Sequence, residues 1–420
     1  MKYFIILVSL CLGMTLASKA RFDNYHVVRV NVDTEVQLNV LRELEDQNSG
    51  YMFWETPVAV GRSVDFVVPP HKLAETDVIF EKFGFKSLTL AKNLQTLIDN
   101  EGAADNLRAR AGLEWTNYYP LEAIYDWMDS LVAQYPNVVT PFIVGKTYEG
   151  RDIKGLKVSY KAGNPGIFME SNIHAREWVT SASSTWILNQ LLTSKDAGVR
   201  DIAENIDWYF VPVANPDGFV YTHTSNRMWR KTRQPSSSLC YGADPNRNFG
   251  YKWMSGGSSN NACSDTYAGK SEFSEPETAA LAAFYTTVAK NITAYIDFHS
   301  YSQLLMYPYG TTVAGSISNE AEHIQVGTEM QKKLSERYGT KYEFGNIVTT
   351  IYVASGGSID WIKGVHDTPF VFVYEMRDTG RYGFILPADQ IIPNAEETLD
   401  SLVEMVKQAR VLGYFKSARN

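Results

Sequence analysis

An apolar run at residues 166–173 ends at His174, and Glu177 follows three residues later. The run reads as a buried strand, which puts the pair in the loop at a strand end. An imidazole and a carboxylate in one loop can converge on one cation. Alone the pattern is weak, and a surface histidine beside a glutamate that starts a helix is the commoner explanation. A third group changes the balance: His299 follows a second apolar run, residues 294–298. Two strand ends can lie side by side. His174, Glu177 and His299 can then share an ion and leave one position open for water, as a catalytic zinc site requires. The one-helix His-Glu-x-x-His arrangement is absent. His26, His71, His223, His323 and His366 lie in segments with no ligand pattern and read as ordinary surface or core residues.

The chain that must position these groups has 420 residues, more than one ordinary core holds, so two domains are expected. Its 45% hydrophobic and 20% charged content is that of a globular protein. A net charge of -8 argues against nucleic acid as a partner, because phosphate binding needs a basic face. Lys2, an apolar stretch at residues 4–12 and the small-residue end Thr15-Leu16-Ala17 have the layout of a secretory signal over residues 1–17. The stretch is short of the ~20 residues of a membrane anchor. A secreted chain meets an oxidising compartment. Cys11 leaves with the signal, and Cys240 and Cys263 are expected to pair as a disulfide, the alternative being two free thiols.

Residues 21–100 read as a small α/β unit. Strands are expected at 25–32, 51–54, 63–68 and 87–90, and helices at 35–45 and 72–83. The order βαββαβ is that of a ferredoxin-like sheet with helices on one face. Residues 101–110 form a polar linker carrying Arg108 and Arg110, a candidate processing site for an Arg-directed protease or a plain connector. From 111 to 420 strands and helices alternate, with helices expected at 180–192, 275–289 and 394–412. The helix at 275 opens with Ser274-Glu275-Pro276-Glu277, good first-turn chemistry. Such alternation implies a mixed sheet covered by helices, with sites gathered at the carboxyl ends of strands.

Six stretches in one order then resemble a known family. They are Asn172-Ile-His-Ala-Arg-Glu-Trp178, Asn226-Arg-Met-Trp-Arg-Lys-Thr-Arg233, Asp244-Pro-Asn-Arg-Asn248, Asp297-Phe-His-Ser-Tyr301, residues 350–361, and Glu375-Met-Arg-Asp-Thr-Gly-Arg-Tyr382. Residues 115–415 resemble the pancreatic-type zinc metallocarboxypeptidases, the A/B family, and residues 21–110 resemble their activation segment. Cys240 and Cys263 sit where that family has a disulfide.

The resemblance implies an eight-stranded-type mixed sheet behind a small ferredoxin-like activation domain. It implies a monomeric secreted zymogen, freed by an Arg-directed protease, with one zinc ion per chain and a digestive role. Its substrates would be peptides with a free C-terminus, with no nucleic acid or membrane partner. His174, Glu177 and His299 would bind zinc, and Asp244 would hold the second ring nitrogen of His174. Asn246, Arg247 and Tyr352 would clamp the terminal carboxylate. Arg176, Arg230, Ser300 and Tyr301 would line the approach for upstream residues. Arg233 would face the scissile carbonyl, and Glu375 would be the catalytic carboxylate. Ile347, Gly310, Val373 and Ile359 would line the specificity pocket, with Ile359 at its floor.

Elementary chemistry supports several of these roles. A carboxylate substrate end calls for a bidentate guanidinium such as Arg247, and requiring that clamp makes an exopeptidase. Glu375 is alternatively a buried salt-bridge partner of Arg377 or Arg381. A pocket floored by Ile359 cannot pair a buried cation, so large apolar or aromatic terminal residues are expected. Asp360 is the next residue, and in the pocket it would give basic specificity instead. Two further alternatives are a catalytically inactive peptide-binding relative and a non-peptidase zinc hydrolase. The presence of Glu375, Arg233 and all three metal ligands argues against the first. The activation segment and the Tyr352 stretch argue against the second. Pro245, Met376 and Val353 depart from the familiar pattern without removing a reacting group.

Overall fold

A computed structural model describes residues 19–46, 50–103 and 112–416. The signal reading and the processing site at Arg108 and Arg110 lie outside the described residues. No helix among the described residues is long and apolar enough to cross a membrane.

The N-terminal unit has strands β1 (His26–Asn31), β2 (Met52–Phe53), β3 (Ser63–Val68) and β4 (Ser87–Ala91) in the order β2-β3-β1-β4. Helices Glu35–Asp46 and Leu73–Phe83 complete the expected ferredoxin-like unit. The second helix begins later than residue 72 because Pro70–Lys72 forms a separate tight turn. Side chains alternate across a strand, and β1 uses both faces. Val28 and Val30 meet Leu38, Leu41 and Phe66 in the unit's own core. Val27 on the opposite face joins Trp54 and Val67 against Tyr301 and Phe384 of the larger domain. One more helix, Leu94–Asp99, follows the unit, and the Asn93 side chain caps it by accepting from the Gln95 amide.

The larger domain is built on β5 (Val139–Lys146), β6 (Asp152–Val158), β7 (Gly166–Ser171), β8 (Asp207–Val211), β9 (Ile292–Ser300), β10 (Leu304–Tyr307), β11 (Glu343–Asn346) and β12 (Phe370–Met376). They form one mixed sheet in the order β11-β10-β12-β9-β7-β8-β6-β5. The middle strands β12, β9, β7 and β8 are mutually parallel. Helices cover both faces, which is why these strands read as continuous apolar runs. Ile167, Met169, Ile296 and Phe372 face Ile187, Leu191, Leu402 and Val406. Phe168, Tyr295, Val371 and Val373 face Leu281, Tyr285 and Ile362.

Two boundaries change the reading of the site. β9 runs on through Ser300, so His299 lies inside a strand and not in the loop after it. Residues 358–366, not foreseen as regular structure, form a helix, Ser358–His366, with Gly357 at its N-cap. The final helix, Ile391–Val411, starts three residues before the expected position.

The small unit is tied to the large one by polar contacts. Arg29 pairs with Asp65 through Nε at 2.6 Å, and its Nη2 donates to the Thr379 carbonyl at 2.8 Å. The Tyr301 hydroxyl donates to Asp65 Oδ2 at 2.8 Å. Glu101 and Arg227 form a fully buried ion pair, with Arg227 Nε 2.8 Å from Glu101 Oε2. Glu55 is enclosed at this junction, where Ser302 Oγ donates to it and the Asp65 and Arg29 charges face it. Burial first, then the Asp65 charge, pushes the Glu55 carboxyl up to about 8. The folded chain therefore holds a proton that the unfolded chain releases near its ordinary value of 4.5. Stability from this group is full at low pH and falls as pH rises from about 4.5 to about 8, by at most ~1.4 kcal/mol per pH unit. Equilibrium denaturation of the full chain across that range should show the fall, and Glu55→Gln should flatten it. Equal slopes in the two proteins would exclude Glu55 as its cause.

Candidate active site

The site lies at the carboxyl edge of β7, β9 and β12. β7 ends at Ser171, and Asn172 turns the chain with φ of 52°. The Asn172 side-chain amide donates to the His174 carbonyl at 3.2 Å and holds the loop. Glu177 is the N-cap of the helix Trp178–Thr193 but does not use its side chain as a cap, which leaves the carboxylate for the site. Its Oε1 lies 2.8 Å from His174 Nδ1 and its Oε2 3.0 Å from His299 Nδ1. All three side chains are buried, and one ligand atom from each lies within 4.8 Å of the others. Burial alone would raise the Glu177 acid, but the two imidazoles more than offset it and hold the carboxyl well below its ordinary value.

The outward nitrogens of both rings meet carboxylates. His174 Nε2 is 3.0 Å from Asp244 Oδ1, and His299 Nε2 is 3.1 Å from Asp297 Oδ2. Two imidazoles and a carboxylate gathered in this way suit a zinc ion with an open fourth position.

One short turn, Pro245–Arg247, delivers several groups at once. Asp244 is its N-cap and accepts from the Asn246 amide at 2.9 Å while reaching His174. Pro245 occupies the first position of the turn, where a fixed φ is an advantage. Asn246 and Arg247 point into a cavity that Tyr352, Ile347, Ile359, Val373, Met306 and Ile351 also line. His174, His299 and Glu375 border the same cavity. Arg247 Nη2 stands 3.5 Å from the Tyr352 hydroxyl, and its Nη1 donates to the Asn246 carbonyl at 2.9 Å. Met306 and Ile351 were not foreseen.

Glu375 pairs in register with His299 across β12 and β9. Neither arginine considered as its partner takes it. Arg377 pairs with Glu397, and Arg381 lies over the Tyr382 ring. Burial pushes the Glu375 carboxyl up to about 8, against the opposing pull of His299.

Arg230, and not Arg233, lies beside the metal ligands. Arg230 bonds Asp244 Oδ2 through Nη2 at 2.7 Å, and its Nη1 is 3.8 Å from Glu177. The Arg233 guanidinium lies instead over the rings of Tyr221 and Trp229, at 3.7 and 4.5 Å. Cation–π contact holds it there, away from the metal ligands. Arg176 is buried over Phe384 at 4.1 Å, with Asp265 3.6 Å away, and burial pushes it down to about 10. The Ser300 amide donates to Glu177 Oε2 at 3.3 Å. Tyr301 lies under the N-terminal unit, bonded to Asp65.

Ile359 and Asp360 both line the cavity, because they share the first turn of a helix and are not neighbours in a loop pointing apart. Their chemistry differs. Both Asp360 oxygens accept from the Gly310 amide, at 2.8 and 3.0 Å, and burial pushes the carboxyl up to about 7. Gly310 backs the wall closely: a Cβ there would come within 2.7 Å of the Ala354 carbonyl and 3.3 Å of Ile347. Cys240 and Cys263 are disulfide-bonded.

Comparison with known proteins agrees with this geometry. Residues 124–401 match the zinc carboxypeptidase family, and residues 28–101 match the carboxypeptidase activation peptide. Zinc carboxypeptidase A 1 of Anopheles gambiae is 44% identical over 412 residues, covering 97% of this chain and 95% of that protein. Carboxypeptidase A1 of Sus scrofa is 40% identical over 414 residues, covering 96% and 98%. The crystal structure of the carboxypeptidase A from Helicoverpa armigera superposes with a TM-score of 0.82 at 29% identity, covering 93% of this chain and 98% of that one. With His174, Glu177 and His299 gathered at one strand edge, and with matches along nearly its whole length, the chain belongs to the zinc carboxypeptidase family and carries the family's activation peptide.

Proposed function

We propose that this chain is a secreted digestive zymogen whose mature form releases large apolar or aromatic residues from peptide C-termini. The observation that carries the reading is one cavity, walled by Ile347, Ile359 and Val373, that opens between Arg247 and the metal ligands. Arg247 takes the terminal carboxylate through its guanidinium fork, and Asn246 and the Tyr352 hydroxyl orient it. The last side chain then enters the apolar wall, where burying a Phe contributes ~1.5–3 kcal/mol. An internal peptide bond offers no carboxylate to this clamp.

His174, Glu177 and His299 would hold a zinc ion, which would supply the Lewis acidity that lowers the pKa of a water towards ~7 and polarises a carbonyl. Glu375 takes a proton from the attacking water and returns it to the leaving amine. Its in-register place beside His299 supports that role. Arg230, not Arg233, stabilises the negative charge that develops on the scissile carbonyl. Asp244 orients both Arg230 and the His174 ring.

In the zymogen, residues 1–17 are a signal, 21–100 the activation domain and 101–110 the processed linker. Residues 111–420 form the enzyme. Glu55 and Arg62 of the activation domain face Ile351 and Tyr352 across a cavity of about 230 Å³, which supports a covered cleft. The alternative of basic specificity rests on Asp360, which lines the pocket but already accepts from Gly310.

The purified protein should contain one zinc per chain, and His299→Ala should lose it by metal analysis. Full zinc occupancy in that variant would refute the ligand set. Arg230→Ala should lower kcat by about 10²–10³-fold, as loss of a positioned donor does, while Arg233→Ala should leave kcat near wild type. The reverse pattern in steady-state kinetics would restore Arg233 to the scissile carbonyl. Trypsin treatment should switch activity on, and the treated enzyme should release Phe and Leu faster than Lys and Arg from matched peptides. Undiminished activity before treatment would sink the zymogen reading, and faster Lys or Arg release would assign the pocket to Asp360.

A further inference from the structure

We infer that Asp297 is the positioning residue for His299, so that both zinc histidines are held from behind by a carboxylate. The inference rests on the ligand set proposed above. Residues 297 and 299 lie on one face of β9, because side chains alternate along a strand. Asp297 is fully buried, and its Oδ2 lies 3.1 Å from His299 Nε2. The Ser358 hydroxyl donates to the same oxygen at 2.9 Å and fixes it from the other side.

The ring's orientation decides which atom donates. His299 Nδ1 faces Glu177 Oε2 at 3.0 Å, on the metal side, so its lone pair is needed there and the ring hydrogen belongs on Nε2. Asn246 Nδ2 is also 3.0 Å from Nε2. The Asn246 oxygen accepts from the Ser358 amide at 2.8 Å, which turns the NH₂ end to the ring, and an NH₂ group cannot accept. Asp297 is then the acceptor for Nε2–H. Its in-register partner on β7 is Glu170, also buried. Asp297 Oδ1 has no hydrogen-bond partner among the described residues. A buried carboxylate left half-partnered is costly, and strand packing alone does not call for one.

The test measures zinc affinity by competition with a chelator, using the full chain as wild type, Asp297→Asn and Ser358→Ala. Melting of the metal-free proteins and the visible spectra of the Co²⁺-loaded proteins are read alongside. Asp297→Asn keeps the shape and removes the charge. It should weaken zinc binding about 10–100-fold and shift the Co²⁺ spectrum, with the metal-free melt unchanged. Ser358→Ala should move affinity the same way by less. Wild-type affinity and an unaltered Co²⁺ spectrum in Asp297→Asn would overturn the inference. If that variant does not fold, unchanged affinity in Ser358→Ala overturns it. Zinc retained in full by His299→Ala would instead refute the ligand set, a separate failure.

Discussion

The Glu177 carboxylate sits between two imidazole nitrogens in a place with almost no access to solvent. An ionised group there is unstable unless its neighbours return what water supplied. Much of the surrounding architecture follows from that requirement. The Asn172 turn brings His174 to one oxygen, and β9 brings His299 to the other. The Ser300 amide adds a further donor. Behind the first ring, Asp244 is itself buried, and Arg230 with His174 holds its carboxyl well below the ordinary range against the pull of burial. Charges alternate outward from the metal position, each layer stabilising the one inside it.

Strand register does the rest. β9 and β12 run parallel and in register, which sets Glu375 beside His299 with no loop to adjust. Groups placed by a sheet ladder are held more closely than groups placed by loops. The Pro245–Arg247 turn achieves similar economy by another route, since three consecutive functions emerge from one capped turn. Asp244 reaches a histidine, Asn246 crosses to the Ser358 amide, and Arg247 enters the cavity.

The metal ligands were legible because residue type and strand-end placement both pointed to them. The ferredoxin-like unit was legible for a similar reason: hydrophobic period and turn residues agreed along its length. Arg230 and Arg233 were not separable in the same way. They lie three residues apart in one motif, and only tertiary partners distinguish them, Asp244 for one and the rings of Tyr221 and Trp229 for the other. Ile359 and Asp360 were not separable from sequence because a short Gly-rich stretch hid a helix start, and both residues of that first helical turn line the cavity. Asp297 carried a readable signal that went unused. It stands two residues before His299 in a run that reads as a strand, and a period of two puts it on the same face.

The Glu101–Arg227 pair has a consequence for what chain cleavage accomplishes. The contacts described above, from Asp65 with Tyr301 to Glu101 with Arg227, use residues no later than 101 on the N-terminal side. Cutting between residues 104 and 111 breaks none of them and removes only a tether. In the uncut chain the small unit is covalently joined to its dock, so its docking is intramolecular and insensitive to dilution. Afterwards it competes at its actual concentration in the surrounding fluid. After such a cut, release would become a question of dilution: a concentrated solution would keep the fragment seated, and a large volume would let it go.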